Sequence, residues 1–273
     1  MQELTNGKPG RAELAGVILL LAGFAGLLVS LAWKTGVTVD EPSHLVSAHF
    51  YWAGKDRLAP QDMPPAIKIV GGWVSHLTGL PIPPRDDSSW KNNHEWEVGI
   101  GLMLRMDPKT IQRTFFFSRL PMLLFPLSCA AMLWWWGRQM YGPAVALVSM
   151  FLFCFSPTVL AHGCLFKNDL AASLGLLLVS YNGWVCARKP GWRGVVRFSG
   201  AVAFAVLTKL SMLVLAFLAP IFLVFVAWRQ GLGWKGYLRS VGILAGVVYC
   251  TVLVLWPGEI GPLPAIDWAW IQS

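Results

Sequence analysis

The sequence predicts an all-α, polytopic membrane protein: a bundle of about seven transmembrane helices with a long outer first loop that holds amphipathic interfacial helices. Three observations predict it. Only 13% of the 273 residues are charged while 55% are hydrophobic, against roughly 25% charged in soluble domains. Uncharged runs long enough to cross a bilayer recur along the chain. The basic residues gather in the short connections between those runs, where the positive-inside rule operates. That placement also assigns the net charge of +8 to membrane topology and leaves no case for nucleic acid.

The chain reads as a single membrane domain over residues 1–273. Lys8 and Arg11 precede Leu14–Trp33, a first span or uncleaved signal anchor of about 20 residues, the length a bilayer requires. Residues 34–113 form the long first loop, with nine acids balanced by nine bases. Within it, Pro64 and Pro65 precede Ile67, Val70, Val74 and Leu77, an apolar stripe at helical spacing. Proline at its start suits a helix N-terminus. The helix lies either in the membrane interface or on a small soluble subdomain.

Span two covers Phe115–Trp136, with Arg119 near its start and Pro121 and Pro126 inside. Pro143–Ala161 and Leu170–Ala187 follow. The apolar run from Val195 to Trp228 is too long for one helix, and Lys209 divides it into 195–208 and Leu210–Trp228. Leu238–Trp256 is the last span, before a Pro-rich tail with Trp268 and Trp270. Five cysteines without a CxxC pair read as small buried hydrophobes.

Orientation comes from the short connections. Arg138, Arg188, Lys189, Arg193, Arg197, Arg229, Lys235 and Arg239 fall on one side, with Lys8 and Arg11; Lys167 and Lys209 fall on the other. The N-terminus is therefore expected in the cytoplasm of a plasma (inner) membrane. Asp40, Glu41, His162, Asp169 and Lys209 then share the outer face.

These outer residues are the candidates for chemistry. Asp40 and Glu41 sit just beyond span one, where carboxylates are costly unless hydrated, paired or functional. Desolvation and mutual repulsion are expected to raise one of their pKa values, suiting a general base. The alternative is a hydrated loop acid that helps cap the helix after Pro42. His44 and His49 follow at helical spacing. Asp40-x-x-x-His44 resembles half a metal site, but no second His pair or Cys cluster completes it. In Ser156–Leu170, Lys167 is placed to meet a phosphate and Asp169 to orient it, or to act as a first-turn acid of the next helix. Lys209 either snorkels or binds an anionic headgroup. Arg119, a cation at the boundary of an apolar run, requires a carboxylate or phosphate partner. No Walker loop, GxGxxG or GxSxG is present. Transport would call for inverted repeats with mid-membrane charges, and neither is evident.

The stretches DEPSHLVSAHFYWAGKDRL, DMPPAIK, FSRLPMLLFPLSCAAMLWWWGRQMYGPAVAL, SPTVLAHGCLFKNDL and VLTKLS, in this order between about Thr38 and Trp228, resemble the membrane-embedded glycosyltransferases of the GT-C class. The nearest branch is the protein O-mannosyltransferase and aminoarabinose transferase superfamily, family 39. The resemblance implies an inverting transfer on the outer face, from a polyprenyl-phosphate sugar to a protein, glycan or lipid acceptor. It implies Asp40 as general base with Glu41 as its companion, and Lys68, Arg119 and Lys209 as cations facing the lipid phosphate. Asp169 matches the acid that opens the fourth span, and His44 and His162 complete the expected substrate contacts. No cofactor is implied beyond the lipid-linked donor, although a divalent metal is compatible with the pattern. Relatives carry Glu-His-Pro-Pro where this chain has Asp62-Met63-Pro64-Pro65. They also usually have eleven or more spans, so the chain is expected to be a C-terminally short version, with a second membrane chain as a candidate partner. A non-catalytic polyprenyl-phosphate-binding subunit is the alternative function.

Overall fold

A computed structural model describes residues 8–52, 63–77, 80, 95–189 and 191–256. Asp62 and the tail with Trp268 and Trp270 lie outside the described residues. Among those described the regular structure is all helical, as expected.

Helix α1 (Arg11–Lys34) is the first apolar run, and Thr35 turns extended to end it. The described part of the long first loop is not an open loop. It folds as α2 (Glu41–Trp52), α3 (Pro65–Leu77), α4 (Glu95–Leu104) and α5 (Pro108–Arg119). Helix α3 starts at the second proline, as its sequence predicts. Helix α5 starts because Asp107 accepts bonds from the backbone N–H groups of Lys109 and Thr110, both at 3.0 Å, with Pro108 in the first turn. A 3-10 turn at Leu120–Leu123 leads into α6 (Leu124–Tyr141), and residues 108–141 together form one apolar path of 34 residues. Gly142, at φ 89°, makes the left-handed turn into α7 (Pro143–Cys154).

Among the described residues five helices, α1, the 108–141 path, α9 (Asp169–Arg188), the segment Leu210–Arg229 that contains α11 (Leu213–Arg229), and α12 (Gly233–Leu255), are long and apolar enough to cross a membrane. Two of the seven expected spans differ. Residues 143–161 do not form a straight helix: α7 and α8 (Pro157–Gly163) meet at a 60° bend, because Pro157 cannot continue the hydrogen-bond ladder of α7. Residues 195–208 belong to α10 (Trp192–Val206), whose 15 residues extend about 22 Å at 1.5 Å per residue, short of the roughly 30 Å hydrocarbon core. Helix α10 is packed closely among its neighbours. It buries Val195, Phe198, Val202 and Val206 among others, and Gly175 of α9 lets Ala205 approach so closely that an added Cβ would lie 2.8 Å from its Cα. The expected break at Lys209 is present, since Lys209 is extended between α10 and a 3-10 turn.

Ion pairs fix which helix ends lie together. Arg138 Nε and Trp134 Nε1 both donate to Glu13 Oε1, at 2.7 and 3.1 Å, joining the start of α1 to the end of α6. At the opposite end of α1, Arg119 reaches the carbonyl of Ala32. Gln230 Nε2 donates to the Cys186 carbonyl, bringing the α11–α12 turn beside the end of α9. The bundle thus has one end with Arg138, Arg188 and Gln230, and another with residues 35–44, 162–169 and 207–210. Three apolar clusters hold the helices together: one around α2–α4 and Phe166, one among α9–α12, and one around α1, α6 and α7. Four of the five cysteines are buried and Cys250 is exposed.

Candidate functional site

Asp40 and Glu41 are neighbours with different surroundings. Glu41 opens α2 and is completely buried. Its Oε2 accepts from the Thr38 backbone N–H at 2.9 Å, the Thr38 hydroxyl at 3.1 Å and Arg119 Nη2 at 2.6 Å. Its Oε1 accepts from Arg119 Nε and from the Phe166 N–H, each at 2.8 Å. Arg119, only 2% exposed, also donates from Nη1 to the carbonyls of Ala32 and Thr35 and from Nη2 to that of Gly36. All five guanidinium N–H groups are committed. The expectation that Arg119 faces a lipid phosphate is therefore corrected: its partner is the carboxylate of Glu41. The pair joins the end of α1, the start of α2, the end of α5 and the Phe166 turn. Both oxygens of Glu41 are filled by donors, so the chain uses it to hold the site together and not as a proton acceptor.

Asp40 is 49% exposed, and its Oδ2 accepts from Lys167 Nζ at 2.8 Å. The hydrogen bond from Lys167 holds its carboxyl below the usual range; burial opposes this and the charges of Lys167 and His44 reinforce it. At Glu41, burial pushes the pKa up, but the bonds and charge of Arg119, with the Thr38 and Phe166 N–H groups, outweigh it and leave the carboxyl low as well. The expected raised acid of the pair is thus absent, because each carboxylate has its own cation and the two do not share a site.

A second pair lies at the same end. Lys209 Nζ donates to Asp169 Oδ1 at 2.8 Å, and His162 Nδ1 stands 3.7 Å from Asp169 Oδ2. All three groups are about two-fifths exposed. Asp169 is the first residue of α9, as the first-turn reading expects, but the lysine it holds is Lys209 and not Lys167. His44 feels charges from both pairs. Burial lowers its pKa to about 4; Asp40, Glu41 and Asp169 pull upward and Lys167 pushes further down. The ring is therefore neutral at pH 7, and its buried Nδ1 has no partner among the described residues. Lys68 is fully buried in α3, enclosed by the protein and not open to the exposed mouth where Lys167 and Lys209 lie. Among the described residues no three His, Cys, Asp or Glu side chains converge as a metal site.

Lys167 is the residue that sequence spacing undervalues. Its proximity in sequence to Asp169 suggests that the two work together, yet its ion-pair partner is Asp40, 127 positions away. An unpaired basic residue beside a helix start was the available signal.

An apolar cleft begins next to Lys209. It holds about 710 Å³ and is lined by Leu210, Leu213, Pro220, Leu244, Tyr249 and Trp256, among others. Along α12 its lining runs from Val241 to Val252 and on to Trp256, about 22 Å at helical rise. The Lys209–Asp169 pair thus stands at one end of a long apolar trough. No protein-family model, curated protein or solved structure matches the chain.

Proposed function

We propose that the chain is a polyprenyl-phosphate-sugar-dependent glycosyltransferase of the GT-C type, an inverting enzyme whose site faces the outer side of the plasma (inner) membrane and whose N-terminus is cytoplasmic. The observation that carries this reading is the apolar cleft opening beside the Lys209–Asp169 pair, together with the exposed Asp40–Lys167 pair at the same helix ends. The prenyl chain occupies the cleft, and its phosphate draws Lys209 and Lys167 away from their carboxylates. That exchange removes the cation that keeps the Asp40 carboxyl low, which makes Asp40 more basic once donor is bound. Asp40 then takes the proton of the acceptor hydroxyl as that oxygen attacks the anomeric carbon. The bond from that carbon to the phosphate oxygen breaks, and polyprenyl phosphate leaves with its charge neutralised by the lysines. Glu41 and Arg119 position Asp40 and do not touch the reacting atoms.

The test incubates membranes containing the full chain with radiolabelled polyprenyl-phosphate mannose and polyprenyl-phosphate aminoarabinose. Label appearing in protein, glycan or lipid acceptor, dependent on Asp40, is the expected result. Photo-crosslinking of the labelled lipid to cleft residues without any transfer would instead establish a non-catalytic carrier-binding subunit.

A further inference from the structure

The opposite end of the bundle carries a feature that sugar transfer does not use. Arg188, Lys189, Arg193 and Arg197 occupy the α9–α10 turn and its flanks; Arg229, Lys235 and Arg239 occupy the α11–α12 turn and its flanks. Among the described residues of these two turns there is no Asp or Glu, and all seven cations are exposed. Gln230, bonded to the Cys186 carbonyl at 2.9 Å, holds the turns side by side. Glu13, at this end of α1, is already occupied by Arg138 and Trp134. Among the described residues the charge is thus concentrated and has no acid beside it left to compensate it.

Aromatic rings frame it. The Arg188 guanidinium stacks on Trp184 at 4.4 Å, and Trp184 stands 6.0 Å from Tyr181 and 6.3 Å from Trp136. Arg193 lies over Trp192 at 5.5 Å. Trp192, Trp228 and Trp234 are exposed at 56%, 78% and 68%. Exposed tryptophans at a helix end belong at the headgroup level of a bilayer, and stacking holds Arg188 in place before any ligand arrives. Cations at that depth are next to lipid phosphates, and an anionic headgroup supplies the charge that the protein lacks here.

We propose that this end is a binding surface for anionic phospholipid headgroups, centred on Arg188, Lys189, Arg193 and Arg197 and continued by Arg229 and Lys235. The inference is independent of the sugar-transfer reading, because it uses the other end of the bundle. Each basic residue at a membrane surface strengthens anionic-lipid binding about fivefold, and neighbouring charges share the same lipids. The quadruple change is therefore expected to weaken binding at least tenfold.

The test purifies the full chain in a delipidating detergent, adds phosphatidylglycerol or phosphatidylcholine, and counts retained lipids by native mass spectrometry. Wild type retains phosphatidylglycerol preferentially. R188Q/K189Q/R193Q/R197Q loses that preference, whereas K34Q/K109Q/R113Q, which removes charge from the opposite end, keeps it. Should the quadruple variant fail to fold, R193Q and R197Q singly give the same reading, each with a severalfold loss. Equal retention of the two lipids by wild type overturns the proposal, as does a phosphatidylglycerol preference that survives the substitutions or is lost equally in the opposite-end variant.

Discussion

Asp40 and Glu41 are adjacent in the chain, carry the same charge and are each paired with one cation, yet they occupy opposite regimes. Glu41 is wholly buried with both oxygens filled by donors. Asp40 is half exposed and bound on one oxygen by a lysine that is itself partly accessible. Desolvation explains the difference in use. A buried ion pair is strongly favoured only while it is intact, since losing one partner leaves an uncompensated charge in low dielectric. An exposed pair contributes little and can exchange partners at low cost. The saturated pair suits a fastener, and one residue away the exposed pair leaves a carboxylate free to change partners.

Breaking the fastener should have the largest effect on stability. Glu41→Ala or Arg119→Met each leaves one buried charge alone and is expected to cost about 3–5 kcal/mol, read as thermal unfolding by tryptophan fluorescence in detergent. Even Glu41→Gln should be severe. Either orientation of its amide turns an NH2 group toward N–H donors that now meet oxygen. A Glu41→Gln protein as stable as wild type would remove the distinction between the two acids.

The next effect depends on pH. The His44 pKa is about 4 in the folded chain and about 6.5 when unfolded. The unfolded state therefore binds the extra proton between those values, and stability falls as pH drops from about 6.5 to 4, by up to about 3 kcal/mol. His44→Leu should flatten this part of the profile. Asp40 and Glu41 have lowered folded values, so their contribution is present above about pH 4 and is lost below it. An unchanged slope between pH 6.5 and 4 in His44→Leu would show that His44 is already solvated.

The smallest stability effects belong to the open pairs. Asp169→Asn and Asp40→Asn should each change stability by less than about 1 kcal/mol, and less still in high salt, because their ion pairs are solvent-screened. Asparagine at position 40 can turn its carbonyl toward Lys167 and keep that one bond, which glutamine at position 41 cannot do for five donors. A loss of several kcal/mol in Asp40→Asn would mean that the two acids are equally structural.

Much of this arrangement was legible in the sequence, for stated physical reasons. The uncharged run of α1, the proline start of α3 and the break at Lys209 are local signals, and each stands where the sequence puts it. Helix α10 runs from the Arg188 end of the bundle to the Lys209 end but is shorter than a full span, and apolar composition alone does not distinguish a helix buried by protein from one buried by lipid. Its many buried positions and its close approach to Gly175 follow from neighbours that are distant in sequence. The bend at Pro157 was carried by the proline itself but hidden by the continuous hydropathy around it. The pairings Arg119–Glu41 and Lys167–Asp40 cross 78 and 127 positions. A lone boundary cation implies an acid partner, but only the fold selects which acid.

In the proposed reaction Asp40 performs the chemistry and Glu41 supports it. The direct measurement is label transfer from polyprenyl-phosphate sugar by Asp40→Asn, in membranes where thermal unfolding shows the variant folded as wild type. General-base removal predicts a loss of about 10²–10⁴-fold in transfer, with donor crosslinking to the cleft retained. Transfer at the wild-type rate by folded Asp40→Asn would contradict the account.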